Sequence, residues 1–370
     1  MAERISHTRL GDGQTLPPPR QQSGFLLALR QSFFNGWVSS IITLALLTML
    51  AMTLPGLWSW AISDAIWSTQ DSSVCRAASG ACWAVIGEKH RVILFGTYPY
   101  DEHWRGALVV ALVTGLAVLS AIPRFWSSAL FVFWGLTTVL VTILMFGGVF
   151  GLPYVGTNKW GGLPLTMIVF MTSVVLGLPL AVVLALGRRS HMPVIRAVCV
   201  GIIEVVRGLP LISVLFMMII ILPLFLPTDL TIDKLLRALI GMVIFFAAYA
   251  AEVVRGGLQA IPTGQYDAAK ALGLSYWPAM IKIILPQALR IVIPALMNDI
   301  IRAFKNTTFV SIIGIFDVLG ATKASMRDVD WVRYSTEAYI FVALLFFVYC
   351  FAMSRYSQFI EKRLDSERER

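Results

Sequence analysis

Three carboxylate–guanidinium pairs stand three residues apart inside stretches that are otherwise almost wholly apolar: Glu204 with Arg207, Glu252 with Arg255, and Asp299 with Arg302. On a helix, residues three apart share a face, so each pair can close on itself. In an apolar medium an unpaired charge is expensive, so such groups face protein or water rather than lipid. The chemistry has two uses. An ion pair can lock one helix against another, or it can loosen at a gate and offer ionic contacts to a charged solute. Around Asp299, the neighbours Asn298, Asn306 and Thr307 add amide and hydroxyl groups that can bind the same solute. For all three pairs the sequence leaves both readings open.

Covalent chemistry finds no support. No G-x-x-x-x-G-K-[ST] sequence occurs, so the chain has no P-loop of its own. His7, His90, His103 and His191 are scattered through tails and loops, which argues against a metal site. No nucleophile stands beside a base. The chain is therefore expected to be no enzyme and to carry no cofactor or metal.

The elements that position the pairs follow from composition. Hydrophobic residues make up 57% of the chain and charged residues 14%. The mean hydropathy is +0.76, outside the range of soluble globules. Crossing a bilayer takes roughly 20 apolar helical residues. Eight runs qualify, at approximately 36–61, 106–122, 127–150, 163–187, 209–227, 238–255, 288–311 and 336–356. Their continuity argues for helices, since barrel strands would alternate over about ten residues. An all-α integral membrane protein of about eight spans is expected, and the lipid bilayer is its first partner.

Residues 1–35 read as a polar N-terminal tail containing Pro17-Pro18-Pro19. The first apolar run is too long for a signal-peptide core and is kept as a span. Orientation follows from Lys and Arg in the loops. With the N-terminus inside, 17 basic residues fall in cytoplasmic segments and 10 in external ones. Both termini are then cytoplasmic, including a tail at 357–370. The net charge of +9 is a topology signal, and no nucleic acid partner is expected. The longest external segment is 62–105, which holds Cys75 and Cys82. An outward loop meets an oxidising compartment, so a disulfide and two free thiols both remain open.

Between the sixth and seventh runs lies a cytoplasmic cassette, residues 267–286, reading DAAKALGLSYWPAMIKIILP. Ala268, Ala269 and Ala271 favour helix and leave a low-profile face. Gly273 permits a sharp turn, and Pro286 can open the next helix. The spacing of Asp267, Ala268, Ala269, Gly273, Ile283 and Pro286 resembles the EAA loop of ABC importer permeases, with Asp267 where Glu is usual. Residues 203–212, IEVVRGLPLI, resemble the Glu-x-x-Arg-Gly-x-Pro-Leu segment of polar amino acid ABC permeases. The run Tyr249, Glu252, Arg255, Gly256, Ile261, Gly264 and Gln265 matches another motif of that family. So does NDIIRAFKNTTF at 298–309.

The resemblance covers about 200 residues, roughly 160–356. It implies a type I ABC importer permease core of five helices, preceded by three N-terminal helices over 36–150. The extra spans and the 62–105 loop look like those of a general L-amino-acid permease subunit of the M type. The family implies alternating access driven by a separate ABC ATPase dimer, which binds the ATP and receives the coupling loop. It also implies a periplasmic amino acid-binding protein, a second permease subunit, expected as a heterodimer, and a place in the bacterial inner membrane. Asn298, Asp299, Arg302, Asn306 and Thr307 become candidates for the substrate pathway. Glu204, Arg207, Glu252 and Arg255 become gate or structural pairs. Two other readings compete. An ion-coupled secondary transporter could use Asp299 as one ion ligand but leaves the cassette unexplained. A membrane scaffold leaves the buried charges unexplained.

Overall fold

The computed structural model describes Leu29 and residues 32–368, apart from 126, 128 and 228. Most of the expected N-terminal tail, 1–35, lies outside the described residues. Among them the chain is helical, with isolated bridges and no strand. It divides into two compact units. One is the described part of residues 1–65 with 78–81, and the other comprises 66–77 and the described part of 82–370. The second unit therefore runs across the 150/160 boundary drawn from the sequence.

The first unit is built on α1, Trp37–Trp58, which runs into a π-turn at Ser59–Ser63. Pro55 sits inside α1, and none of its residues is buried. A helix apolar on every side suits a lipid-facing span.

The second unit opens with two short helices, α2 (Ser72–Ala77) and α3 (Ala84–Phe95). A disulfide joins Cys75 to Cys82, which closes the question left open by the sequence. Next come α4, His103–Ala121, and α5, Ala129–Phe146. Arg105 is wholly buried at the start of α4. Its guanidinium donates to the carbonyls of Leu144 and Pro153 and lies 3.5 Å from Glu102. This ties α4 to the turn after α5. α5 stops at Phe146 because Gly147 and Gly148 both take positive φ, 66° and 76°. The run expected over 127–150 is thus a helix that ends four residues early, shorter than the six unbroken candidate spans found among the described residues.

The remaining helices form the core. α6 is Gly162–Arg188, α7 Pro193–Gly208 and α8 Leu211–Phe216. α9 is Lys234–Ala260, α10 Thr263–Ala271 and α11 Tyr276–Ala279. α12 is Leu285–Asn306, α13 Val318–Ser325 and α14 Ser335–Arg368. α9 packs along α6 and α12, and α12 along α14. Small residues let the backbones approach, as expected where lipid gives no hydrophobic drive between helices. A Cβ on Gly177 of α6 would come 2.5 Å from the Phe246 ring of α9. One on Gly257 of α9 would come 2.6 Å from the Ala288 carbonyl of α12. Ala181, Ala185, Ala247, Ala250 and Ala251 fill the same seam.

The span expected at 209–227 is not straight. α7 and the run 211–225 meet at a bend of 114°. Pro210 lacks an N–H and drives Leu209 out of the helical region, to ψ 142°. Beyond α8 the run continues as a π-turn, Met217–Ile221, and a 3₁₀ turn, Leu222–Phe225. Counting the bent pair once, the described residues hold up to seven candidate spans, beside the shorter apolar helix α5 at the place of the remaining expected run. Other spans run past their apolar segments. The helix expected at 288–311 begins at Tyr276, and the one expected at 336–356 belongs to a helical run from Val332 to Leu364. α14 stays helical to Arg368, through most of the expected C-terminal tail.

The helices α2 and α3 are integral to this unit. α3 packs on α13, and Lys89 pairs with Asp328 at 2.6 Å. The hydrogen bond from Lys89 holds the Asp328 carboxyl below the usual range. Glu337 accepts the backbone N–H of Cys82. Gly96 and Gly162, both at positive φ, let the end of α3 meet the start of α6, where a Cβ would collide with backbone.

Candidate functional site

Three constellations gather polar groups along α9 and α12. The first joins α6, α7 and α9. Glu252 on α9 is its centre, with its side chain 15% exposed. Its carboxylate lies 2.8 Å from Arg255, 3.0 Å from Arg188 and 3.6 Å from Arg207. Glu204, 54% exposed, pairs with Arg188 at 2.7 Å. The expected Glu204–Arg207 pair is therefore corrected. α7 turns Glu204 toward the end of α6, while Arg207, one turn on, reaches α9. Glu252–Arg255 forms as expected, but as one edge of a network. Arg188 stands at the end of α6, outside the three pairs that the spacing offers. Its place as the bridge between two carboxylates becomes visible once α6 and α9 lie side by side.

The second constellation surrounds Asp299, which is 7% exposed on α12. Its Oδ1 pairs with Arg302 at 3.1 Å, as the spacing predicts. Its Oδ2 is buried without a hydrogen-bond partner among the described residues. Ser173, Tyr249, Asn306 and Arg302 border the same small cavity, of about 20 Å³, with Phe245 and Phe246 among its apolar lining. That is room for about one water. Of the other candidates, Asn298 is exposed and away from the cavity wall, and Thr307 is buried with its hydroxyl on the Phe304 carbonyl.

Tyr249 connects the two constellations. The guanidinium carbons of Arg207 and Arg302 each lie 5.7 Å from its ring centroid, within cation–π range. Its hydroxyl donates to the Arg207 carbonyl at 3.4 Å. A run of side chains thus joins the α6–α7 end of the molecule to the Asp299 cavity.

The third constellation is the 267–286 cassette. α10 ends at Ala271, and Gly273 makes the turn at φ 71°. Asp267, Ala268 and Gly273 are exposed, and Leu272 beside them is 74% exposed. Ala269 is buried against its own chain, so the two alanines differ in role. The Leu274 N–H reaches back to the Ala269 carbonyl and closes the turn. The second half is no separate helix. α11, a π-turn at Met280–Ile284 and α12 form one run from Tyr276 to Ser311. Pro286 lies in the first turn of α12 just after the π-turn, where its missing N–H is absorbed by the bulge. Ile283 is half-buried and Ile284 buried beneath it. The cassette's second half is therefore rigidly continuous with the helix that bears Asp299.

These features can be set beside known proteins. Residues 177–366 match the family model described as "Binding-protein-dependent transport system inner membrane component". The inner membrane amino-acid ABC transporter permease protein YhdY of Escherichia coli (strain K12) is 43% identical over 358 residues, covering 95% of this chain and 96% of that one. The glutamate/glutamine/aspartate/asparagine transport system permease protein BztC of Rhodobacter capsulatus is 35% identical, covering 94% and 95%. A solved structure, described as the crystal structure of an amino acid ABC transporter with histidines, is 31% identical over 55% of this chain and 92% of its own, with a TM-score of 0.49. These relatives are membrane transport components rather than enzymes, as the missing nucleophile–base constellation leads one to expect. The match to YhdY runs through the N-terminal helices as well as the core. With its polar pairs, its cassette and its helices all within that span, the chain belongs to the family of inner-membrane components of binding-protein-dependent transport systems, and its resemblance to amino acid ABC importer permeases is borne out.

Proposed function

We propose that this chain is the permease subunit of an ATP-driven importer of polar or general L-amino acids. A separate ATPase dimer binds the ATP. The observation that carries this reading is the cassette: an exposed face of Asp267, Ala268, Leu272 and Gly273, followed across one turn by a second half that runs unbroken from Tyr276 into α12. A partner gripping that face would move α12, and with it Asp299 and Arg302, as one body. Alternating access would then open and close the small cavity at Asp299, which has room for one water in the form described here and none for an amino acid. Asp299 would take the ammonium group of the substrate and Arg302 or Asn306 its carboxylate. The Glu252 network would hold α6, α7 and α9 together and release Arg207 on opening. A periplasmic amino acid-binding protein delivers the substrate on the side of α3 and α13. A second, unequal permease subunit completes the pore. The inner-membrane orientation has the cassette, Arg188 and both termini in the cytoplasm.

Co-purification and uptake test the proposal together. The ATPase should co-purify with the wild-type chain and be lost with Ala268→Glu. Inverted or energised vesicles should take up labelled amino acids only with ATP. Uptake that follows an ion gradient and ignores ATP would refute it. Reporter fusions at 85 and 157 should report the outside, and those at 190, 270 and the C-terminus the inside.

A further inference from the structure

We propose that the arginine-lined cavity at the α6–α7 turn holds the phosphate of an anionic phospholipid, whose acyl chain lies in the apolar groove beside it. The cavity measures about 870 Å³, and its wall includes Arg188, Arg189, Arg196 and Arg255 with Ser190 and His191. No carboxylate lines it. Glu204 and Glu252 balance Arg188 and Arg255 from behind. The other two arginines keep their charge. Arg189 donates to the Leu258 carbonyl at 3.1 Å and the Tyr266 hydroxyl at 3.2 Å, both neutral. Arg196 is exposed and forms no ion pair among the described residues. Two guanidinium groups facing one hollow, with hydroxyl and imidazole donors between them, fit a phosphodiester. The N-terminal end of α7, a sixteen-residue helix, opens into the same hollow and adds a favourable dipole.

The neighbouring surface selects an amphiphile over a free anion. Arg189, Ser190 and His191 also border a second hollow of about 470 Å³. Its remaining wall is apolar, built from Val183, Leu186, Met192, Ile195, Cys199 and Trp277. A ligand seated across the shared edge meets arginines at one end and hydrocarbon at the other. Tyr276 and Trp277 are exposed there, at the start of the 276–311 run, as aromatic side chains are at a membrane interface. Basic hollows between helices at the inner face are suited to anionic headgroups. The proposal takes from the function proposed above only the choice of the inner leaflet.

The full-length chain in neutral detergent is titrated with dioleoylphosphatidylglycerol, dioleoylphosphatidylcholine and inorganic phosphate, and bound lipid is counted by native mass spectrometry. Phosphatidylglycerol should bind saturably and about tenfold tighter than phosphatidylcholine. Arg189→Gln and Arg196→Gln should each weaken it roughly fivefold, and Ile195→Gln should weaken it without changing any binding of phosphate. Arg196 is exposed, so its variant keeps the test valid if Arg189→Gln fails to fold. Equal binding of the two lipids, or wild-type binding by a normally melting Arg196→Gln chain, overturns the proposal. So does phosphate binding as tight as the lipid's, which would mark a free-anion site. Loss of ATPase co-purification in Arg196→Gln with lipid binding intact would assign the arginines to the ATPase instead. Lipid binding is the readout throughout, so a failure of amino acid uptake leaves this test untouched.

Discussion

The Arg188 guanidinium at the end of α6 lies 3.0 Å from the Glu252 carboxylate on α9 and 2.7 Å from the Glu204 carboxylate on α7. One arginine thus ties three helices. Glu252 in turn answers three arginines, while Glu204 answers one and is more than half exposed. The two carboxylates should therefore differ sharply. Glu252→Gln leaves three guanidinium groups short of a partner in a poorly solvated site and should cost about 3 kcal/mol. Glu204→Gln removes a largely exposed partner and should cost less than about 1 kcal/mol. Melting of the purified full-length chain decides between them, and equal losses would show that Glu252 is not the hub.

The cassette makes a second contrast. Ala268 is exposed, and Ala269, next to it, is buried. Ala268→Glu should melt like the wild type and lose the ATPase. Ala269→Glu forces a charge into a site only 2% exposed, and should lower the melting temperature by several degrees or more. Gly273→Glu falls between. Nothing crowds its Cβ position, but φ 71° strains any side chain, at about 1 kcal/mol. Coupling lost through Ala269 with the fold unchanged would overturn this division of roles.

The same contrast shows what the sequence can carry. Helical class, apolar runs, the cassette and the near-neighbour pairs Glu252–Arg255 and Asp299–Arg302 are local features, readable from spacing alone. The Glu204–Arg207 pair looked equally local and does not form, because Arg188 and Glu252 compete for its two members from other helices. Pairings across helices depend on packing angles that no single segment encodes. Helix breaks were harder still. Pro210 is visible in the sequence, but apolar residues continue on both sides, so hydropathy reads straight through a 114° bend. Gly147-Gly148 likewise hides the early end of α5. The exposed Leu272 and the burial of Ala269 depend on how α10 lies on α11 and the π-turn at Met280–Ile284, and the sequence offers no signal for either.

Outside the spans, Asp317 supplies a pH dependence. It caps α13, accepting the Gly320 N–H at 2.8 Å, and its Oδ2 is buried without a hydrogen-bond partner among the described residues. Burial pushes its carboxyl up to about 7. The unfolded chain binds this proton only below the ordinary range near 3.8, so between those values the folded state holds one proton more. Stability from this group is therefore full in acid and falls as pH rises toward about 7. Asp317→Asn keeps an N-cap acceptor and removes the titration. The melting temperature of the wild type should drop between pH 5 and pH 7 relative to that of Asp317→Asn. Parallel curves for the two proteins would exclude Asp317 as the source.

Asp299 is the strictest test of the transport site. Its Oδ1 is spoken for by Arg302, its Oδ2 is buried with no hydrogen-bond partner among the described residues, and the residue lines a cavity with room for one water. Asp299→Asn keeps the shape, leaves Arg302 a neutral acceptor and gives the cavity an amide donor or acceptor. If the carboxylate binds the substrate ammonium, uptake should fall by tenfold or more, since a charge-assisted contact is worth about 2 kcal/mol. ATPase association and basal hydrolysis should persist. If the carboxylate is a lock between α12 and α9, protein level, melting and assembly should fall together, because Arg302 then loses its anchor beside Tyr249. Phe245→Trp discriminates further. It fills the cavity wall without touching the ion pair, so it should block uptake under the first reading and leave assembly intact. Wild-type uptake in Asp299→Asn would remove this aspartate from the pathway and move the substrate contact to other residues of the pore.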